Sequence, residues 1–402
     1  MMNTRYRFLI LILFICSTLK TWAQTDVANA FKFAAAQTGL MLTEIDKAKT
    51  KATGTLVIPR ALDKNGNLVL IPTSDWCSGF FPGVLWYLYE YTKDPQWLKQ
   101  AQKYTAYIEP EKYNTSTHDL GFEVYCSFGN GYRLTQDPRY KEVIIQAARS
   151  LSKRFNPVVG AIKSWDNLKV GKYPVIIDNM MNLELLFEAS RLSGDSSFYK
   201  IAVTHANTTL KNHFRADNSS YHVVNYDPET GKVINKITNQ GYGNETAWAR
   251  GQAWGLYGYT MCYRETRDRK YLQQARKIAD FILNDPNLPT DLVPYWDYNA
   301  PDKANQTRDV SAAAVTASAL YELSTYGRRN KIYRTMANQI IRNLIAYQAK
   351  PGESKGFLLL HSTGNKPANG EIDVPIIYAD YYYLEALTRK LRLENYQLVV
   401  KQ

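Results

Sequence analysis

Histidine and cysteine are scarce in this chain: five and four among 402 residues. Cys77, Cys126 and Cys262 each fall within an apolar helical stretch. Three cysteines cannot all pair within one chain, and their spacing matches no metal site. They read as small apolar residues of the interior, so the fold does not rely on disulfides. There is no glycine-rich phosphate loop, no nucleophile elbow and no metal-binding histidine cluster. Neither a cofactor nor a metal is expected, and carboxylates and aromatics beside loops remain as the groups able to do chemistry. The net charge is +12, yet no basic helix, zinc finger or RNA-binding signature accompanies it, which argues against a nucleic-acid partner. The apolar run LILILFI is too short to span a bilayer, so stable membrane insertion is not expected.

That run belongs to a leader-like segment. Arg5 and Arg7 give a positive start, and Thr21-Trp22-Ala23 offers a small residue before Gln24. Residues 1–23 read as a secretory signal, with export to a bacterial periplasm the expected destination. Cys16 invites a lipoprotein reading, but Ile15 before it is bulky for a lipobox. Removing Arg5, Arg7 and Lys20 with the leader leaves +9, a basic surface suited to polyanions such as acidic polysaccharide. A lysine-rich solvated surface explains the same charge.

What the chain has in quantity is a repeat. Six aromatic- and glycine-rich apolar stretches recur: DWCSGFFPGVLWYLYEY, HDLGFEVYCSFGNGYRL, DNMMNLELLFEASRL, ETAWARGQAWGLYGYTMCYRE, DVSAAAVTASALYELSTY and YADYYYLEALTRKL. Short turns such as TKDPQWL, TQDPRYK, SGDSSFYK and TRDRKYL lead from them into second helical stretches. A helix pair buries its core by stacking on neighbours. Six pairs can close into a double ring, an all-α (α/α)6 barrel or six-hairpin toroid, with loops at one rim around a pocket. No low-complexity linker divides the chain, so residues 24–402 read as one domain. An opening helix capped by Asp26 is expected, then a short hairpin turning at Asn65-Gly66. Long interruptions near 155–177, 214–246, 284–308 and 350–377 are placed to build the working surface. Most of the 30 tyrosines read as core; some suit a sugar-binding pocket. Gly251, Gly255 and Gly258 are poor helix formers whose use here is close helix approach or room for a ligand.

Asp119 opens the second inner stretch and Asp178 the third. Equivalent positions of a ring point into one central cavity. The ordinary role of such an aspartate is an N-cap. Two neighbouring carboxylates, however, push their pKa values apart, so one holds a proton near neutrality while the other stays ionised.

DWCSGFFPG, HDLGF, DNMMNLELLFEAS, the ETAWARGQAWGLYGY block and EIDVPIIYADYYYLEAL together resemble glycoside hydrolase family 88, the unsaturated glucuronyl hydrolases, over about residues 27 to 392. The resemblance implies an (α/α)6 barrel. It implies removal of a 4,5-unsaturated uronic acid from the non-reducing end of lyase-generated glycosaminoglycan oligosaccharides. By position in the family motifs, Asp178 resembles the general acid/base and Asp119 the second essential carboxylate, with His118 beside the same pocket. His222, Gln240 and Arg250 match positions lining the uronate subsite; Arg250 has a structural alternative in pairing with an acid such as Glu245. Trp254 matches a stacking aromatic, with Trp76 and Trp165 as companions. Some members acting on sulfated fragments carry a Ser-x-x-x-Ser-x-Lys-like loop late in the chain that meets a sulfate. The segment from His361 to Pro367 keeps Ser362 and Lys366 but lacks the second serine, and a sulfate contact through Ser362, Asn365 or Lys366 is the corresponding expectation. Two other readings stand beside this one: an unsaturated rhamnogalacturonyl hydrolase acting on pectin fragments, and an exported glycan-binding protein without catalysis. The presence of both Asp119 and Asp178 argues against the last.

Overall fold

A computed structural model describes residues 4–49, 56–327 and 329–399. Helix α1 (Thr4–Lys49) leads to the antiparallel hairpin β1 (Ile58–Leu62) and β2 (Leu68–Ile71), which turns through Gly66 at φ 77°. Helix pairs follow. The first is α2 (Phe80–Thr92) with α3 (Pro95–Ile108). The second is a π-helical run (Gly121–Gly129) continued by α4 (Asn130–Thr135), with α5 (Pro138–Ser152). After β3 (Phe155–Asn156), β4 (Ala161–Ile162) and β5 (Tyr173–Ile176) come α6 (Asn179–Ser193) and α7 (Ser196–Asn212). Strands β6 (Val223–Tyr226) and β7 (Val233–Ile237) precede α8 (Ala249–Thr266) and α9 (Arg269–Asn284). The last pairs are α10 (Val310–Leu323) with α11 (Asn330–Leu344), and α12 (Ile377–Val399) with α1.

The inner members pack in chain order, α2 on the π-helical run, then α6, α8, α10 and α12, and α12 packs back on α2. The chain is therefore a closed (α/α)6 barrel. The two rings differ in sequence for a physical reason. Helix α10 is buried from Val310 to Tyr321 and is built of small and apolar residues all round, as a helix enclosed on every side must be. Helix α9 buries Tyr271, Leu272, Ala275, Ile278, Ala279 and Ile282 at three- and four-residue spacing, with Gln274 beside them, and leaves its other face more exposed.

The recurrent turn is a two-residue device. Lys93, Gln136, Gly194 and Arg267 take left-handed conformations that stop four inner helices. The aspartates after them, Asp94, Asp137, Asp195 and Asp268, cap the outer helices by accepting the N–H two residues on.

One expectation is corrected. Helix α1 runs through Asp26 without a break. The N–H groups after it bond to preceding carbonyls, and no orphan donors remain to be capped. Of the leader read at residues 1–23, residues 1–3 lie outside the described residues; among the described residues no helix is long and apolar enough to cross a membrane. The interruptions near 155–177 and 214–246 contain short strands. Strands β5, β6 and β7 form an antiparallel sheet in that order. Their four- and five-residue runs are too short to declare a period in sequence.

The glycines of α8 are not equivalent. A Cβ on Gly258 would lie 2.5 Å from Met180 Cβ, whereas one on Gly255 would meet Ile278 at an ordinary 3.5 Å. Gly258→Ala is expected to destabilise the barrel by roughly 1–3 kcal/mol through overpacking. Gly255→Ala is expected to be neutral or to gain up to about 1 kcal/mol of helix propensity. Chemical denaturation of the two variants checks the contrast.

Candidate active site

The inner helices begin at one rim, and a cavity of about 270 Å³ opens there. It is lined by Trp76 ahead of α2, His118 and Asp119 ahead of the π-helical run, Trp165, Asp178 at the start of α6, Gln240, Arg250 in the first turn of α8, Asn365 and Tyr378. A second cavity of similar volume lies at the other end of the ring, between the helix C-termini. Its walls include Arg264 paired with Glu184, and Arg389 next to Glu385, acids and bases already matched with each other. The upper cavity is different: two of its carboxyls have no cation of their own.

Neither Asp119 nor Asp178 caps a helix with its side chain. Asp119 instead receives weak neutral donors, Asn182 Nδ2 at 3.3 Å and Thr117 Oγ1 at 3.4 Å, and faces His118 Nε2 at 3.2 Å. The Asn182 amide is oriented by accepting the N–H of Phe122 at 2.9 Å. Asp178 faces His222 Nε2 at 3.8 Å, beyond hydrogen-bond reach. Burial raises both carboxyl pKa values to about 7. For Asp178 the charge of Asp119 adds to the rise, while Arg250 and the indole of Trp254 oppose it.

Both histidines are buried and pushed down to about 3, chiefly by desolvation, then by Arg154 beside His118 and Arg250 beside His222. Both are therefore neutral. His118 Nδ1 lies 2.8 Å from the Ser164 carbonyl oxygen, which can only accept, so this nitrogen carries the hydrogen. His222 Nδ1 accepts two backbone N–H groups, from Asn239 and Gln240, each at 3.1 Å. Its hydrogen is therefore on Nε2.

The remaining sequence-selected residues divide. Trp76, Trp165, Gln240, Arg250 and Asn365 line the cavity. Arg250 is fully buried and committed: it donates to Asp309 at 2.6 Å, to the Thr363 carbonyl at 2.6 Å and to the Gly364 carbonyl. Glu245, the acid considered for it, pairs with Arg215. Gln240 donates to the Gly364 carbonyl as well, at 3.1 Å. His222 sits behind the wall between Trp165 and Trp248. Trp254 is fully buried against Phe122 and Tyr382 and offers no open face for stacking. Ser362 is fully buried, and Lys366 donates to Gln306 at 2.8 Å over the Trp296 ring, outside the cavity lining. Of the expected sulfate contacts, only Asn365 reaches the cavity wall.

Sequence reading missed a cluster. Arg60 on β1 donates to both Asp75 oxygens, at 2.7 and 2.8 Å, and to Glu371 at 3.1 Å, with Trp76 beneath its guanidinium. Arg60 and Glu371 line the cavity. Their separation of 311 positions leaves no local signal. Together with Arg250 and Gln240, this cluster ties the 362–374 segment down on two sides of the pocket.

A closed double ring of helices around an open pocket that holds two proton-retaining carboxyls defines a glycosidase of the (α/α)6-barrel class. The chain belongs to glycosyl hydrolase family 88, which matches residues 63–382. An unsaturated glucuronyl hydrolase of Formosa agariphila is 53% identical over 329 residues, 80% of this chain and 82% of that protein. An unsaturated chondroitin disaccharide hydrolase of Streptococcus pneumoniae is 33% identical over 80% of this chain and 83% of its own length. The crystal structure of an unsaturated glucuronyl hydrolase specific for heparin matches with a TM-score of 0.86 at 46% identity, over 92% of this chain and 98% of that one.

The raised carboxyls make stability depend on pH. A carboxyl whose folded pKa lies above its unfolded value binds more protons when folded, so stability falls as pH rises between the two values, here from about 4 to about 7. Melting temperatures measured at pH 5 and pH 8 are expected to differ less in Asp178→Asn than in the wild type. An unchanged difference would count against the raised proton affinity of Asp178.

Proposed function

We propose that this glycoside hydrolase removes a 4,5-unsaturated uronic acid from the non-reducing end of lyase-generated glycosaminoglycan oligosaccharides. One observation carries the reading: two buried carboxyls, pushed toward their neutral form by desolvation, stand beside the indoles of Trp76 and Trp165 in a pocket at one rim of the ring. The names of the relatives support the substrate class.

The unsaturated uronate is a cyclic vinyl ether. Protonated Asp178 delivers its proton to carbon 4, which leaves an oxocarbenium-like centre at carbon 5. Water adds to carbon 5, and the Asp178 carboxylate takes the proton that water loses. The resulting hemiketal opens, and the glycosidic bond collapses with it. Hydration is the chemical step and hydrolysis its consequence, so the separation of the two carboxyls does not set retention or inversion in the usual way. Asp119 lies next to the acid and raises its proton affinity by its own charge when ionised. The uronate carboxylate calls for donors at the wall, where Gln240 and Asn239 stand.

Turnover destroys the conjugated double bond, so the ultraviolet absorbance of an unsaturated chondroitin or heparin disaccharide falls with time. Asp178→Asn is expected to lower that rate by roughly 10²–10⁴-fold while binding is retained. A near wild-type rate in this variant would remove Asp178 as the acid. Faster turnover of rhamnogalacturonan than of glycosaminoglycan disaccharides would transfer the enzyme to pectin breakdown.

The basic start and apolar run before Gln24 support export to the periplasm as the setting for this activity. Protein recovered from a periplasmic fraction is expected to begin at Gln24 on N-terminal sequencing. An intact leader there would contradict cleavage at that point.

A further inference from the structure

Among the described residues, two cations line the pocket, Arg60 and Arg250. Arg250 is balanced by Asp309, one guanidinium against one carboxylate. Arg60 is shared between two. Its Nη1 donates to both oxygens of Asp75, and its Nε and Nη2 donate to Glu371. All three nitrogens are thus engaged with acids, so Arg60 acts on a bound sugar chiefly through its charge. Both acids have a structural reason to be there. Asp75 accepts the Cys77 N–H at 2.9 Å, in the turn that leads past Trp76 into α2. Glu371 belongs to a hairpin whose cross-strand pairs are Ser362 with Val374 and Asn365 with Gly370. Its φ of 52°, like those of Asn369 and Asp373 at 55° and 58°, is left-handed, a state that L-residues keep where surrounding contacts hold them. The Glu371 side chain lies across Gly364, where a Cβ would stand 2.4 Å from its Oε2. Neither carboxylate is therefore free to swing away from the pocket. Their fields reach it: the charge of Asp75 acts on Asp119, and that of Glu371 on Arg250.

We propose that Arg60 is a specificity-determining residue: it offsets two structural carboxylates at the pocket wall so that an anionic sugar can enter, and it takes no part in proton transfer. The inference rests on the substrate being an unsaturated uronate, as argued above, and uses only the charge of that sugar. One guanidinium against two carboxylates leaves this side of the pocket with a single net negative charge. Without Arg60 the same wall would present two, and like charges at close range oppose binding. No other cation is placed to substitute. Arg250 is committed to Asp309 and to two carbonyls, and Lys366 is held by Gln306 outside the cavity lining.

Steady-state kinetics on an unsaturated disaccharide test this with variants that separate charge from shape. Arg60→Gln is expected to raise KM roughly tenfold at about 0.1 M salt, with kcat changed by less than about threefold, the pattern of lost binding alone. The ratio of variant to wild-type KM is expected to shrink toward one at about 1 M salt, because the screening length falls from about 10 Å to about 3 Å. Arg60→Lys restores the charge without the planar fork and is expected to recover most of the loss. Adding Glu371→Gln to Arg60→Gln removes one of the two freed carboxylates, and KM is expected to fall back toward wild type. An Arg60→Gln KM within about twofold of wild type would overturn the proposal. So would a rise that salt leaves untouched and the second substitution deepens, since that pattern belongs to a structural role. If Arg60→Gln does not fold, Glu371→Gln decides alone. Its amide keeps the shape of the carboxylate over Gly364 while one negative charge is removed, so KM is expected to fall at low salt, and a rise would overturn the inference. A wild type that binds the disaccharide without turning it over would fail the proposed reaction, and the same comparison of variants is then read from dissociation constants.

Discussion

Two carboxyl groups held away from water without a cation of their own set the terms for this protein. Burying an acid favours its neutral form, and an adjacent guanidinium ordinarily reverses that preference. At several other acids the reversal is supplied: Arg250 with Asp309, Arg264 with Glu322, Arg389 with Glu322, and Arg60 with Asp75 and Glu371. Asp119 receives only an amide and a hydroxyl, and the nearest basic groups beside Asp119 and Asp178 are neutral imidazoles. They are thereby left as acids able to deliver a proton near neutral pH, which is the property that protonating a carbon of a vinyl ether demands.

The ring makes this arrangement possible. Because α12 packs back on α2, the starts of all the inner helices face one space, and residues far apart in sequence become its wall. The same closure explains the two histidines. Each is pinned through Nδ1 by backbone atoms of a neighbouring segment, the Ser164 carbonyl for one and the Asn239 and Gln240 amides for the other. The tautomer of each ring is thus set by the backbone, which mutation of a nearby side chain does not easily alter. Arg250 serves the scaffold more than its place on the pocket wall suggests. Its guanidinium holds two carbonyls of the segment that covers the pocket, and Arg60 holds the same segment through Glu371 on another side.

Much of this was legible beforehand, and the reasons differ from element to element. The repeated turn could be read because its physics is local: a left-handed residue stops one helix and the next aspartate starts another. Asp119 and Asp178 could be picked out because they sit at equivalent starts of successive units. Their freedom from capping duty could not, since an aspartate before a helix looks the same whether its side chain turns back to the amides or forward into a cavity. Trp254 matched a stacking position yet lies sealed behind Phe122 and Tyr382. Lys366 looked available for an anion and instead reaches Gln306.

Sequence by itself determined the number of helix pairs, their inner and outer roles and the identity of the two aspartates, because burial pattern and turn chemistry act over a few residues and leave their mark there. Tertiary structure alone decided which acids acquire cations, which histidine nitrogen keeps its hydrogen and which aromatic rings reach open space. Those outcomes depend on groups brought within a few ångströms across tens to hundreds of positions, and electrostatics at that range is governed by distance and solvent access, which ring closure sets.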